Sequence, residues 1–187
     1  HNQESKNMPT TTQVSRNKNI LYFAVGSTVA VMLYITFVLT PVGACFNLDS
    51  GSNSLGLSFS YTKAIVLSFF ESRSQEQLLC YSQFLQIWDA IFAIIYTLMY
   101  ASWIVWLFNN TRWLALVPIL GMLSDWSENY IELIMINTYS NAGTISETIV
   151  SLGSGINSFK WILSSLTYLI IVIGIIIAIK NFFTKTR

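Results

Sequence analysis

Charge is scarce in this sequence. Only 10% of its 187 residues are Asp, Glu, Lys or Arg, whereas soluble domains carry about 25%. The formal net charge is +1, so we expect no electrostatic attraction to nucleic acid. Glycine loops of the G-x-x-x-x-G-K-[ST] or G-x-G-x-x-G kind are missing as well, which argues against those two nucleotide-binding motifs. Because charged residues are so few, we expect that most of the protein surface does not face water.

Histidine is almost absent, because the one histidine is His1. This excludes haem ligation by histidine, a zinc site built from histidines and a Ser-His-Asp triad. We accordingly predict no metal site and no cofactor.

Cysteine is limited to Cys45 and Cys80. They stand at the two ends of a long polar loop, Gly43 to Phe84, in a compartment that permits disulfides. A bridge would close a loop of about 35 residues. We predict this disulfide; the alternative is two free, buried thiols.

Long hydrophobic runs dominate the sequence, and 53% of the residues are hydrophobic. About 20 helical residues cross a hydrocarbon core of roughly 30 Å. Four runs have that length, at about 20–42, 85–108, 113–137 and 161–183. They predict an all-α integral membrane four-helix bundle, with one transmembrane domain (20–183), an N-terminal arm (1–19) and a short tail (184–187).

The connections are expected to differ in structure. The long loop, Gly43 to Phe84, is polar at first and then becomes periodic, which predicts one or two short surface helices. The segment Tyr139 to Phe159 is rich in Ser, Gly, Asn and Thr, and it predicts a loop with a short helix at Ile145 to Leu152.

Orientation follows from the basic residues, which favour the cytoplasmic side. Seven of the ten lie in the N-terminal arm, in the connection between the second and third spans, and at the C-terminal end. Both termini are therefore predicted to be cytoplasmic, with the long loop outside, in a multi-pass protein of the bacterial inner membrane surrounded by membrane lipid.

The third span carries an acidic face. Asp125, Glu128, Asn129 and Glu132 are spaced i, i+3, i+4 and i+7, so they share one side of a helix. With a rise of about 1.5 Å per residue, Asp125 lies about 18 Å from the inner end of the span and the others lie further out.

Two other spans place polar residues at a similar depth. Asp89 stands near the outer end of the second span with Tyr96 below it, and Lys160 begins the fourth span. A carboxylate facing lipid costs several kcal/mol, so such groups turn towards a partner or a wet cavity. These residues and the acidic face form the predicted ligand-binding site. The alternative to a ligand-binding site is a polar network that only fixes the packing of the helices.

The string from Leu116 to Asn129, with Asp89 upstream, resembles a group of uncharacterised small bacterial four-span membrane proteins. Members of that group share Leu-Pro followed by Asp-x-x-Glu-Asn in the third span. They also have an Asp in the second span, a Tyr in the outer loop (Tyr61 here) and a Lys at the start of the fourth. The resemblance covers roughly Tyr61 to Leu163 and implies no particular function.

In layout only, the chain is similar to the sterol-isomerase and sigma-2-receptor class of four-span proteins. Those proteins have a long loop after the first span and carboxylates facing a lipid-accessible cavity. The absence of histidine within the spans departs from the isomerase pattern, which argues against a sterol reaction.

Three functions remain open. The favoured one is binding or transport of a small cationic or lipid-like ligand in an acidic cavity open to the outer leaflet. The second is a lipid-modifying enzyme that uses a carboxylate acid/base pair. The third is a structural subunit, as a homo-oligomer or within a larger membrane complex.

The predicted orientation can be tested by cysteine-accessibility labelling in intact cells. A cysteine introduced into the loop between Gly43 and Phe84 should react with an impermeant reagent added outside, because that loop lies on the side poor in Lys and Arg. A cysteine in the connection at Asn109 to Arg112 is the control and should react only after lysis. Labelling of the long loop only from the cytoplasm contradicts the orientation.

Overall fold

The computed structural model describes residues 11–48 and 53–185, with side chains from residue 18 onwards and up to residue 184. Across these ranges every regular element is a helix and no strand occurs, which confirms the predicted all-α class. Residues 1–10 of the predicted arm, Asp49 in the long loop, and the last two residues of the tail lie outside the described residues.

Five helices follow one another within residues 11–48 and 53–185. Helix α1 (residues 11–43) consists of Thr11–Tyr34, a π turn at Ile35–Leu39 and Thr40–Gly43. Helix α2 is Lys63–Glu71. Helix α3 (Gln75–Leu107) consists of Gln75–Gln83, a π turn at Phe84–Asp89 and Ala90–Leu107. Helices α4 and α5 are Leu116–Ala142 and Glu147–Lys185, and short 3₁₀ turns occur at Leu55–Leu57 and Arg112–Ala115.

Local sequence explains where several helices begin and end. Ser74 caps α3 through a reciprocal capping box with Gln77, which satisfies two amide groups that a helix start leaves free. Pro118 lies in the first turn of α4, where a missing N–H costs nothing. Helix α4 stops at Gly143, whose φ of 68° is the left-handed conformation that favours glycine.

The four long helices run alternately up and down. The start of α1, the connection at 108–115 and the end of α5 lie at one end, called the terminal end. The segment 44–74 and the turn at 143–146 lie at the other, called the loop end. Helix α1 packs chiefly on α3, and α4 packs chiefly on α5.

Three helices are long and apolar enough to cross a membrane, which indicates a membrane protein. They are Lys18–Gly43, Gln75–Leu107 and Glu147–Thr184, within α1, α3 and α5. Helix α4, which covers most of the predicted third span, is not among them. Any stretch of α4 long enough to cross a membrane includes Asp125, Glu128 and Glu132.

The helices extend further at the loop end than the sequence predicted. The prediction of a loop from Tyr139 to Phe159 is wrong, because α4 continues to Ala142 and α5 begins at Glu147. The expected short helix at Ile145–Leu152 is the start of α5. Ser and Gly are unfavourable in a helix, but packing against neighbouring elements commonly overrides such propensities, as it does here.

The buried apolar residues are concentrated at the loop end. Side chains from α2, α3, α4, the start of α5 and the segment after α1 form one cluster that includes Phe46, Phe70, Tyr81, Met135 and Val150. Towards the terminal end, by contrast, the helices expose most of their aliphatic side chains. The loop end is therefore the packed part of the molecule, and it supports the polar residues beneath it.

The predicted disulfide between Cys45 and Cys80 is present, with their Cα atoms 6.4 Å apart. It joins the segment that follows α1 to the first turns of α3. Arg73 reinforces the same corner, because its Nε donates a 2.8 Å hydrogen bond to the carbonyl of Phe46.

Loss of this disulfide should destabilise the protein. The bridge closes 35 residues of chain, so Cys80→Ser should lower the free energy of unfolding by roughly 3–4 kcal/mol in the chain-entropy model. Heat or denaturant unfolding in detergent measures the loss. Cys45→Ser and the double variant should each lose the same amount, because one bond is removed in all three. A single variant as stable as the oxidised protein would show that the bridge contributes nothing.

Candidate functional site

Three helices bring the predicted site residues together. Asp89 and Tyr96 come from α3, Lys160 comes from α5, and the rest come from α4. We call this group the acidic core; its members are Asp89, Tyr96, Asp125, Glu128, Asn129, Glu132 and Lys160. The shared face predicted for α4 is observed, since all four of its members are at most 5% exposed.

Lys160 lies at the centre of the acidic core. Its ammonium nitrogen is 2.7 Å from Glu128 Oε2 and 3.0 Å from Asp125 Oδ1. It also donates to the carbonyl of Gly56 at 3.2 Å. The side chain is only 11% exposed, so Lys160 is buried within the core and does not stand at an open mouth.

Asp89 pairs with Asn129, whose Nδ2 donates to Asp89 Oδ2 at 2.8 Å. Asp89 therefore contacts the acidic face of α4 through the amide of Asn129. Tyr96, two turns further along α3, donates its hydroxyl to Asp125 Oδ2 at 3.0 Å. Helix α3 therefore reaches the acidic core through Asp89 and Tyr96.

The π turn at Phe84–Asp89 lies beside this contact. Side chains of neighbouring helices donate to carbonyls in and just after it. Tyr34 of α1 donates to Trp88 at 2.9 Å, and Trp126 of α4 donates to Ala90 at 3.1 Å. Such turns are rare and often lie at functional sites. The sequence contains no pattern that predicted this one.

Glu132 has a partner that sequence reasoning missed. Tyr81 of α3 is fully buried and donates its hydroxyl to Glu132 Oε2. The same hydroxyl oxygen lies 3.1 Å from the amide of Leu55 and 3.0 Å from Ser54 Oγ. The periodic pattern in the long loop, Gly43 to Phe84, predicted only one or two short surface helices, and it did not indicate that Tyr81 is buried.

A short stretch of the long loop covers the acidic core at the loop end. We call residues 54–61 the cover segment. The carbonyl of Gly56 accepts from Lys160 and, at 3.0 Å, from Trp161 Nε1. Further along, Asn157 and Ser158 of α5 donate to the carbonyls of Ser58 and Phe59. The cover segment is thus held to α5 mainly through its backbone.

Gly56 allows this close approach. A Cβ at this position would lie 2.9 Å from Glu128 Oε2 and 3.1 Å from the ammonium nitrogen of Lys160. Any larger residue would push the cover segment away from the ion pair. The sequence offered no signal for this role, because Gly56 stands in a stretch rich in Ser and Gly.

Tyr61 closes the other side of the acidic core. Its side chain is 4% exposed, and its hydroxyl has no hydrogen-bond partner. Burial raises the pKa of Tyr61, and the carboxylates of Glu132 and Glu128 raise it further. The hydroxyl therefore keeps its proton beside the two glutamates. Sequence reasoning pointed to Tyr61 only through the resemblance described above.

Two oxygens of the acidic core also lack partners. Glu128 Oε1 and Glu132 Oε1 are buried and accept no hydrogen bond. With all four carboxyl groups ionised, the acidic core would carry three negative charges in excess of Lys160. Burying uncompensated charge is costly, so this site favours the uptake of positive charge.

The acidic face of α4 is closely packed, because its four residues are at most 5% exposed. Two cavities flank the helices: one of about 400 Å³ between α1 and α3 near the terminal end, and one of about 560 Å³ between α3 and α4 at the loop end. Neither is lined by a residue of the acidic core. Among residues 11–48 and 53–185, no group of three or more His, Cys, Asp or Glu side chains has the arrangement of a metal site.

Contact between Tyr61 and α5 can be tested with two glycines of the same helix. A Cβ at Gly153 would lie 2.7 Å from the Tyr61 hydroxyl and 2.9 Å from Ile131 Cγ2, whereas one at Gly155 would meet nothing within 4 Å. Gly153→Ala should therefore lower the free energy of unfolding by roughly 1–3 kcal/mol. Gly155→Ala, the matched control, should raise it by up to about 1 kcal/mol. Equal thermal stability of the two variants would show that Tyr61 does not pack against α5.

Comparison with known proteins adds no relative to this description. The chain matches no family model, no curated protein and no solved structure.

Proposed function

We propose that α4 is a fourth membrane-crossing helix, in a bundle whose terminal end is cytoplasmic and whose loop end is outside. Its acids turn inwards to α3 and α5, and its opposite face is apolar. That exposed face is formed by Leu116, Leu120, Leu123, Trp126 and Tyr130. Such an arrangement can contact lipid without exposing a carboxylate, which is the condition for charged residues within a bilayer.

We propose further that the protein binds a small organic cation in the acidic core. The observation that carries this proposal is the mismatch between four clustered carboxyl groups and one ammonium group. A cation would relieve the excess negative charge and give the unpartnered oxygens of Glu128 and Glu132 a partner. A purely apolar ligand would do neither.

Lys160 indicates which cation the acidic core suits. Its ammonium group is held by Asp125, Glu128 and the carbonyl of Gly56 at distances of 2.7 to 3.2 Å. An ammonium group has three donors, and three acceptors match them. The side chain thus acts as a tethered example of the ligand, and we infer that the ligand carries a primary ammonium group. A free amine and the amine of a lipid head group both satisfy this chemistry.

The ligand would reach the core from outside by moving the cover segment. Gly56 lies directly over the ion pair, and the cover segment is held to α5 by hydrogen bonds that can open without breaking a covalent bond. The cover segment lies between the disulfide at Cys45 and the start of α2 at Lys63. Both of its flanks are therefore anchored while it moves.

A second function has one observation in its favour. The acidic core is closed and most of its groups are paired, as expected for a polar network that fixes the packing of α3, α4 and α5. In that case the protein is a structural subunit of a membrane assembly.

Glu128→Gln separates the two functions. If the core binds a cation, this change should preserve the fold, because shape and hydrogen bonding survive, and should weaken binding of ethylammonium by about tenfold or more. Glu71→Gln, at an exposed carboxyl at the end of α2, is the matched control and should leave binding unchanged. Calorimetry in detergent measures both.

The source of the ammonium group is resolved by two arms of that experiment. Free ethanolamine is titrated into the protein in detergent, and nanodiscs with and without phosphatidylethanolamine are compared. If the acidic core is structural, no amine binds in either arm and Glu128→Gln is mild or stabilising, because it removes one charge from a crowded set.

A further inference from the structure

Two glutamates of the acidic core form a pair of their own. Glu128 and Glu132 lie one turn apart on α4, and both are 0% exposed. Each uses Oε2 for a hydrogen bond, Glu128 with Lys160 and Glu132 with Tyr81. Each leaves Oε1 without a donor, and the i, i+4 spacing places the two carboxyl groups next to each other on one face of the helix.

One proton shared by the two glutamates would reduce their repulsion and supply the missing hydrogen bond. Two ionised carboxylates at such a distance repel each other, and two carboxyl groups that share a site hold a proton between them for that reason. A buried oxygen without a donor has lost its contact with water and gained nothing in return. A proton on either Oε1 becomes the donor for the other, so a single proton satisfies both oxygens.

The groups around the pair do not supply the missing positive charge. Tyr61 faces it from the cover segment and Tyr81 from α3, and both are neutral donors. Asp125 on α4 and Asp89 on α3 are further acids. Lys160 on α5 is the one cation of the acidic core, and it is engaged with Asp125 and with the other oxygen of Glu128.

We propose that Glu128 and Glu132 share one proton, which leaves to the outside when the cation enters. This inference rests on the proposed function. Each cation that binds would displace one proton, so the net charge of the acidic core would stay the same. Tyr61 belongs to the cover segment, and its hydroxyl lies near the pair. It is the group that can accept a hydrogen bond from the proton as it leaves.

Proton release on binding tests this exchange. Ethylammonium is added to the purified protein in weak buffer with a pH-sensitive dye, and about one proton should appear per cation bound. By linkage, the dissociation constant should fall about tenfold for each unit rise in pH while the pair holds its proton. Binding without any release, at a constant affinity across pH, overturns the exchange and leaves the proposed function standing.

Glu132→Gln removes the shared proton, because the amide donates to Glu128 in its place. Protons released per bound cation should fall from about one to zero, and the pH dependence of the affinity should flatten. Glu71→Gln removes an exposed carboxyl group far from the pair and serves as the control, so release per bound cation should stay near one. Equal release in both variants overturns the assignment to the pair.

Infrared spectroscopy tests the proton even when no amine binds. With ¹³C-labelled glutamate, the carbonyl band of a protonated carboxylic acid should be present and isotope-shifted near neutral pH. It should be lost in Glu128→Gln and in Glu132→Gln, and kept in Asp89→Asn. Failure of ethylammonium to bind, with this band present, refutes the proposed function and keeps the proton. Absence of the band refutes the shared proton.

Discussion

The ammonium group of Lys160 is the contact on which the rest of the acidic core depends. It joins α5 to Asp125 and Glu128 of α4 and, through the carbonyl of Gly56, to the cover segment. Without it, these carboxylates would be buried with no positive charge beside them, which proteins avoid by unfolding, protonating or binding a cation. The Nζ atom of Lys160 therefore holds both α4 and the cover segment to α5.

This constraint explains how the molecule distributes its apolar surface. Burying an ion pair requires neighbours that exclude water and stay in place, and the packed cluster at the loop end supplies them. The rings of Phe46 and Tyr81 in that cluster pack against each other at a tilt, and the Tyr81 hydroxyl donates to Glu132. The disulfide holds the same corner. Towards the terminal end no charge has to be enclosed, and the helices there leave their aliphatic side chains exposed.

Period and composition predicted much of the site. A spacing of i, i+3, i+4 and i+7 fixes one helix face whatever surrounds it, so the face of α4 could be predicted from residues 125–132. Depth along antiparallel helices follows from rise per residue, which brought Asp89, Tyr96 and Lys160 to the same level. The disulfide followed from two cysteines on one side of a membrane.

Which atom meets which could not be predicted in this way. Asp89 accepts a hydrogen bond from Asn129, next to a π turn at Phe84–Asp89 that no pattern in this sequence predicted. The predicted loop at 139–159 became helix, because packing outweighs weak propensities.

The sequence by itself determined that this chain has long apolar helices, that one of its helices carries an acidic face, and that a disulfide joins Cys45 to Cys80. These properties depend on composition and on spacing along one helix. Only the tertiary structure decided that the acidic face is sealed. The cover segment reaches it from far along the chain, through the backbone of Gly56 and the ring of Tyr61. Backbone carbonyls carry no sequence signature, so their placement over the ion pair follows from the fold alone.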